Sequence, residues 1–414
     1  MRREPPKSTL RIVRIFTCMV IYVLLYSPDS LDAQTVFQYN FLADIELSKG
    51  GEKSHYYYNE IDQDNIDFRL GLSQLNFMGQ LAQDNNWSFN FRLLLERDKG
   101  QKLKKFSTPQ LNLQWLSNKR KVGITIGQFI NPFGSFNEKQ LSTDRNFVGL
   151  PLMYSYYSNI SPTIGFLPEM GDVTKVPIND VVQWGSSGLY YGGYTAGAML
   201  SWNIKPGKVN WKLAVVNGAS NKVKRFTDPL NLGIISKLKL RPTYYWEQGI
   251  SISHGSFMEE SEVSDQLADL GKFTQTLIGT DFKLGKGFFE VSGELIGAFY
   301  KVPQFNDETN SFIGDPDNDP LQVSGISTYL DIKYEFPQIQ GSYVAFRFDY
   351  LGYGELEGNT LQQWDNNVTR QSIAIGYHIT RAFLARIAVS TQQVDNKPWN
   401  KKQGTFRFVL TAHY

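Results

Sequence analysis

The sequence predicts an all-β protein, a transmembrane antiparallel β-barrel of about sixteen strands. Three observations predict this fold: segments of about ten residues alternate apolar and polar side chains, the connections between them are alternately short and long, and aromatic residues make up 14% of the chain. The mean hydropathy of −0.32 agrees, because only every second residue of such a strand faces lipid. The 414 residues are therefore expected to form one barrel behind a targeting segment.

Residues 1–33 are predicted to be a signal peptide. Basic residues precede an apolar stretch, 15–26, which is shorter than a membrane-spanning helix requires. Ala33 supplies a small residue for cleavage, so residues 34–414 are expected to form the mature barrel. An uncleaved membrane anchor is the alternative. Cys18, the single cysteine, lies in the apolar stretch, so the mature chain would carry neither a disulfide nor a thiolate metal site.

Sixteen segments of the chain have the pattern of barrel strands. In residues 87–93, the apolar side chains Trp, Phe, Phe and Leu alternate with Ser, Asn and Arg, and residues 344–350 repeat the pattern. One face of each strand is rich in aromatic residues and the other is polar, as lipid on one side and water on the other require. The predicted strands are 36–48, 65–82, 86–98, 108–117, 121–131, 188–203, 208–217, 229–240, 245–257, 273–285, 288–302, 325–336, 341–352, 367–379, 382–394 and 403–414.

The predicted connections alternate in length. Short periplasmic turns that alternate with longer extracellular loops are a rule of outer-membrane barrels. A large soluble β-protein is the alternative, although its apolar strand faces would be richer in Val, Ile and Leu. The predicted short turns lie near residues 83–86, 117–121, 205–208, 241–244, 285–287, 337–340 and 380–381. The longer polar stretches include residues 49–64, 258–272, 303–324 and 353–366.

One connection, residues 132–187, is much longer than the others and lacks clear alternation. Loops of such length inside a compact fold are usually functional or disordered. This one is rich in Tyr, Phe, Leu and Pro, above all in residues 147–154, so we expect it to pack against other parts of the protein. As the third long loop of the barrel, it is expected to fold into the pore and narrow it. An external lid or a partner surface is the alternative.

The last predicted strand carries Phe406, Phe408, Leu410, Ala412 and Tyr414 on one face. This pattern resembles the terminal strand by which outer-membrane barrels are recognised for assembly. The barrel assembly machinery is therefore an expected partner, and the outer membrane with its lipid is the expected location. An ordinary edge strand is the alternative.

Two short motifs carry a family resemblance. Residues 127–134, Gly-Gln-Phe-Ile-Asn-Pro-Phe-Gly, end the fifth strand and open the long loop, and residues 215–218, Val-Val-Asn-Gly, end the seventh strand. Together with the strand plan, they resemble Gram-negative porins, and among these the phosphate-selective porin O and P group. The resemblance implies a sixteen-stranded barrel, commonly a trimer, with stacked arginines and a lysine cluster at its constriction. Since the long loop contains only Lys139 and Lys175, phosphate specificity is not carried over.

Charged residues at inward-facing strand positions are the candidate pore-lining residues. Strand order places a basic wall opposite acids of strands 10 to 12 and of the long loop, and such opposed charges would focus the field in a narrow pore. The alternative is that the arginines pair with nearby acids such as Asp349 and Glu46. The basic candidates are Arg69, Arg92, Lys212, Arg347, Arg370, Arg386 and Arg407. The acidic candidates are Asp281, Glu290, Glu294 and Asp331 on the strands, and Glu138, Asp144, Glu169, Asp172 and Asp180 in the loop.

A passive diffusion channel for small hydrophilic solutes or ions, including anions, is the expected function, because so many unpaired inward charges are tolerable only beside water. A binding or structural barrel, such as an adhesin or an assembly component that uses the long loop as a partner surface, is the second candidate. No enzyme motif occurs, and His254 and Ser256 lack an orienting partner, so neither catalysis nor a cofactor is expected. The near balance of 42 basic and 40 acidic residues indicates no nucleic-acid partner.

Overall fold

Sixteen antiparallel strands close into one barrel, in which each strand is hydrogen-bonded to its neighbours in sequence order. The computed structural model describes residues 35–50, 69–83, 86–97, 103–117, 119, 121–156, 158, 160–166, 193–220, 231–260, 264–306, 309, 311–356, 362–395 and 403–414. The strands are β1 (Thr35–Gly50), β2 (Arg69–Gln83), β3 (Trp87–Arg97), β4 (Leu103–Leu116), β5 (Val122–Ile130), β6 (Tyr194–Lys205), β7 (Val209–Asn217), β8 (Leu232–Thr243), β9 (Trp246–Ser256), β10 (Thr274–Lys286), β11 (Phe289–Val302), β12 (Leu321–Glu335), β13 (Ser342–Tyr353), β14 (Val368–His378), β15 (Phe383–Val394) and β16 (Gln403–His413).

The predicted fold class is confirmed, and the strand bounds lie close to the predicted ones. The strands β2, β4, β6 and β12 begin several residues away from their predicted starts. In β4 the cause is a β-bulge around Pro109, where the pairing with β3 shifts between Arg92 and Leu94. A bulge accommodates proline, which has no N–H to donate, so the strand continues on both sides of it. The predicted signal peptide, residues 1–33, lies outside the described residues.

The first and last strands close the barrel. Leu42 of β1 pairs with His413 of β16, and Gly50 pairs with Thr405. Next to them, the Phe41 N–H donates to the carbonyl of Tyr414 over 3.0 Å, and the Tyr414 N–H donates back over 2.9 Å. A closed sheet has no free edge, so its backbone groups are satisfied without water.

The two faces of each strand differ in polarity. In β1, Ile45 is 44% exposed, whereas Asp44 and Glu46 on either side are each 3% exposed. The same alternation leaves Ile252 of β9 and Ile373 of β14 exposed. The outer face is thus apolar and the inner face polar, as a barrel surrounded by lipid requires. Within the described part of the chain, no helix is long and apolar enough to span a membrane.

The connections follow the predicted alternation of short turns and long loops, except between β3 and β4, where the strands are separated by five residues, as they are between β4 and β5. The long connections contain short elements of their own. The helical ones are the 3₁₀ turns Phe136–Glu138, Ser142–Asp144, Ser264–Gln266 and Leu270–Lys272 and the α-helix Leu152–Ser155. The others are two-residue ribbons that pair Ile160–Ser161 with Gly165–Phe166, Phe305–Asn306 with Ser311–Phe312, and Glu355–Leu356 with Gln362–Gln363.

The closed sheet predicts heat-modifiable migration in electrophoresis. A barrel without a free edge resists detergent at room temperature, because unfolding must break the whole sheet cooperatively. We expect an unboiled sample to migrate differently from a boiled sample, and far-ultraviolet circular dichroism to show strand structure before boiling. Identical migration together with a helical spectrum would contradict the fold.

Candidate functional site

The third loop joins β5 to β6, and its described part covers residues 131–166 except 157 and 159. It leaves β5 through a tight turn, in which the Phe133 N–H donates to Asn131 Oδ1 over 3.0 Å and Gly134 has a φ of +66°. Glycine suits this left-handed conformation, since it has no Cβ to clash. The Phe133 ring lies against Gly279 of β10, where a Cβ would stand 2.9 Å from its Cζ. Two glycines therefore let the loop turn onto the inner wall, the polar inner face of the barrel strands.

Glu294 of β11 ties two separate parts of the third loop to the wall. Its Oε1 accepts hydrogen bonds from the Ser135 hydroxyl over 2.9 Å, from the Phe136 N–H over 2.6 Å, and from the Ser135 N–H. Its Oε2 accepts from the Tyr154 hydroxyl. A buried carboxylate needs such donors to offset its desolvation. Glu294 is thus a fixed anchor for the loop.

Lys237 of β8 holds the same turn from another strand. Its ammonium donates to the carbonyl of Gly134 and lies 3.4 Å from Asp281 Oδ2. Asp281 can reach over β9 because residue 249 is glycine: a Cβ there would stand 2.2 Å from the Asp281 carboxylate. The two charges are almost fully buried and compensate each other.

Arg386 of β15 binds the middle of the loop by its backbone. One guanidinium nitrogen donates to the carbonyls of Ser142 and Arg145 over 2.5 and 3.1 Å, and the other donates to Thr411 over 3.0 Å. Beside it, Asp44 of β1 accepts a hydrogen bond from the Ser142 hydroxyl over 3.0 Å. The bonds from Arg386 use backbone carbonyls, so they fix the path of the loop independently of its side chains, whereas the bond to Asp44 requires the Ser142 hydroxyl.

Arg347 of β13 forms a deeply buried ion pair with Asp331 of β12. Its Nε and one terminal nitrogen donate to the two carboxylate oxygens of Asp331 over 2.6 and 2.7 Å, and the side chains are 2% and 3% exposed. The remaining nitrogen donates to the carbonyl of Gly149 over 3.0 Å. The guanidinium also lies 4.3 Å from the centre of the Phe147 ring, a cation–π contact.

The next strand repeats this arrangement. Arg370 of β14 donates to the carbonyl of Leu150 and lies 3.3 Å from Asp349 Oδ2. Asp349 in turn accepts a hydrogen bond from the Leu152 N–H over 3.1 Å. Five strands further round the barrel, Arg92 of β3 bonds to the Tyr194 hydroxyl and lies 3.5 Å from the Gln140 carbonyl.

Four of the predicted wall arginines therefore bond to the third loop, Arg92, Arg347, Arg370 and Arg386, and they are not unpaired charges beside water. The expectation of unpaired inward charges was wrong for the buried ion pairs and for Arg386. The third loop supplies backbone carbonyls as hydrogen-bond partners, and the alternation of the strands does not reveal them. The alternative pairing is what the structure has: Arg370 with Asp349, and Arg407 with Glu46 over 2.8 Å. Glu290 pairs with Lys283 over 2.9 Å.

Other predicted residues lie apart from these contacts. Asp144 is exposed in its 3₁₀ turn. The backbone of Arg69 pairs with Ser48 at the start of β2. Glu169, Asp172 and Asp180 lie outside the described residues. His254 and Ser256 form separate hydrogen bonds. The His254 ring bonds to Thr276 on the outer face, and the Ser256 hydroxyl donates to the Leu270 carbonyl.

A charged cluster on the short-turn side of the third loop includes residues that the sequence analysis missed. The Glu138 carboxylate lies 3.5 Å from Lys212 of β7 and 3.2 Å from Lys239 of β8. Lys239 also lies 3.1 Å from Glu247 of β9. Lys237 and Lys239 alternate along β8, so the strand pattern does place both on the inner face. The strand pattern did not reveal that Glu138 of the third loop lies beside these lysines.

Comparisons with known proteins identify the fold. No protein-family model and no curated protein matches the chain. The chain is similar to OmpT of Vibrio cholerae, an outer membrane protein solved in a trimer form, with 8% identity over 92% of this chain and 99% of that one and a TM-score of 0.56. The chain is also similar to an anion-selective porin from Comamonas acidovorans, with 8% identity over 92% of this chain and 100% of that one and a TM-score of 0.56. A third similar structure is the outer membrane channel DcaP of Acinetobacter baumannii, with 10% identity over 92% of this chain and 97% of that one and a TM-score of 0.54.

The structure thus defines an outer-membrane β-barrel. A closed sheet with an apolar outer face is stable only in a membrane, and single chains of this architecture are found in the bacterial outer membrane. Its fold is the porin fold, shared with the channels named above at low sequence identity.

Proposed function

We propose that this protein is a porin: a passive channel through the outer membrane for small hydrophilic solutes and ions, anions among them, without enzymatic activity. One observation carries the proposal. The third loop is held by charged side chains on distant sectors of the inner wall, by Asp44 and Arg386 on β1 and β15 and by Lys237 on β8. A loop that reaches both sectors from inside the barrel would cross the lumen and narrow it rather than close it from outside.

The finer parts of the proposal rest on the sequence. Residues 1–33 would direct export and be removed, the last strand would be recognised by the barrel assembly machinery, and the mature barrel would associate as a homotrimer. Kinship with the phosphate-selective porin O and P group rests on the two short motifs alone, so we propose no phosphate specificity.

Conductance of the purified protein in a planar lipid bilayer tests this function. We expect discrete, ohmic single-channel steps in potassium chloride, because a water-filled lumen conducts both ions. A refolded barrel that inserts into the bilayer, as judged by heat-modifiable migration, and still shows no conductance steps would refute the proposal.

A binding or structural barrel is the second candidate, and one observation favours it. At the long-loop end, the Phe166 N–H donates to the carbonyl of Pro303 over 2.8 Å, and the Phe166 ring packs edge-on against Trp364. These buried contacts join the third loop to two other long loops at that end of the barrel. An inserted but non-conducting barrel would favour this candidate.

A further inference from the structure

The cluster around Glu138 faces open space on the short-turn side of the third loop. Glu138 is 42% exposed, and the side chains of Lys212 and Lys239 are 29% and 26% exposed. These charges differ from the buried pairs above, because water and dissolved ions can reach them. They are therefore placed to act on a solute that passes them.

The carboxylate of Glu138 bridges two ammonium groups. Its Oε1 lies 3.5 Å from Lys212 Nζ, and its Oε2 lies 3.2 Å from Lys239 Nζ. A dissolved oxyanion would meet two lysines in the same way, with one oxygen toward each ammonium. Burial by itself would raise the pKa of Glu138, but Lys212, Lys237 and Lys239 lower it to about 2. The carboxylate is thus ionised throughout the neutral range.

The backbone of the loop delivers Glu138 to this place. It ends the 3₁₀ turn Phe136–Glu138, whose first N–H is bound by Glu294, and the Gly134 carbonyl is bound by Lys237. The contact between the carboxylate and the lysines is therefore intramolecular. The loop keeps the carboxylate at a high effective concentration there, even if its intrinsic affinity for the lysines is low. Partly exposed ion pairs contribute little to stability, so the loop does not need Glu138 as an anchor.

We propose that Glu138 is a tethered counter-ion that fills a latent oxyanion site formed by Lys212 and Lys239, and thereby lowers the preference of the channel for anions. The proposal rests on the porin function and adds its specificity-determining residue. With the tethered carboxylate in place, a dissolved oxyanion has to compete with it and meets little net positive charge. With the carboxylate neutralised, Lys212 and Lys239 can bind an oxyanion from solution. Lys239 keeps its contact with Glu247 at 3.1 Å, and that acid is also paired with Arg241.

The variant Glu138→Gln tests the proposal, since glutamine keeps the shape of the side chain and removes the charge. The dissociation constant for inorganic phosphate is measured by calorimetry on the detergent-purified barrel, and the reversal potential is measured in a potassium chloride gradient. We expect phosphate to bind roughly tenfold more tightly than to the wild type, because one unit charge about 4 Å away in a hydrated site has an effect of that order. The reversal potential should move toward anions.

Two further variants separate this role from a general change of charge. Asp144→Asn removes a charge from an exposed position of the same loop and should change phosphate affinity little. Glu138→Gln combined with Lys239→Gln should return phosphate affinity toward the wild-type value. Unchanged phosphate binding in Glu138→Gln, or an equal gain in Asp144→Asn, would overturn the proposal. Because calorimetry needs no conducting channel, a wild type without conductance would refute the porin function and leave the binding result to decide this inference.

Discussion

Deletion of residues 137–182 is expected to raise the single-channel conductance severalfold. The deleted segment includes the loop carbonyls that Arg386, Arg347 and Arg370 hold. If the third loop crosses the lumen, as we propose, its deletion widens the pore. The exposed wall charges then face water, where charges are tolerated. The anchor of residues 134–136 on Glu294 and Lys237 stays in place.

Single-channel recording in a planar bilayer measures this effect. A matched control shortens the exposed tip of another long loop, residues 313–319, and should leave the conductance close to that of the wild type. If the deleted barrel folds, as shown by heat-modifiable migration, and its conductance equals that of the wild type, the third loop lies outside the permeation path.

The substitution Asp331→Ala is expected to cost about 3–5 kcal/mol of unfolding free energy. Asp331 binds Arg347 through two hydrogen bonds, and both side chains are almost fully buried. Without the carboxylate, the guanidinium remains buried beside one carbonyl and three aromatic rings, which do not neutralise its charge. The neighbouring acid Asp349 is already paired with Arg370. Urea-induced unfolding of the barrel in lipid vesicles measures the loss.

Two comparisons test the cause of that loss. Glu290→Ala breaks a more exposed pair, in which Lys283 is 45% and Glu290 is 26% exposed, and should cost less than about 1 kcal/mol. Asp331→Leu combined with Arg347→Met removes both charges and should recover much of the stability, because apolar side chains can replace a buried pair. Equal losses in Asp331→Ala and Glu290→Ala would show that burial of the pair is not what matters.

Both predictions follow from one property of the inner wall: its buried charges hold the third loop. Asp281 and Glu294 lie directly opposite each other on β10 and β11. Two acids so placed would repel each other, but Lys237 compensates one and the hydrogen-bond donors of the loop compensate the other. A change in either acid should therefore affect the position of the loop as well as the stability of the barrel.

The amino-acid sequence by itself determined the barrel. Strand alternation has a period of two residues, and a chain that must present an apolar face to lipid and a polar face to water repeats it in every strand. For this reason the positions of the strands, the inner face of residues such as Arg347 and Lys212, and the unusual third loop were all predictable. The cross-strand neighbours Asp331 and Arg347 could be suspected as well, since antiparallel strands joined by a short turn have a nearly fixed register.

Only the tertiary structure decided which inward-facing charged side chains bind the third loop and which remain exposed to water. Arg386 and Ser142 are far apart in the chain and meet because the third loop lies against the strand that carries Arg386. The periodicity of the sequence does not predict the path of the loop, since that path depends on steric fits such as Phe133 against Gly279. It also depends on hydrogen bonds to backbone carbonyls, which every residue possesses. Glu138 was predictable as a loop acid, but its position between Lys212 and Lys239 follows from the folded loop, because local patterns do not specify contacts between distant segments.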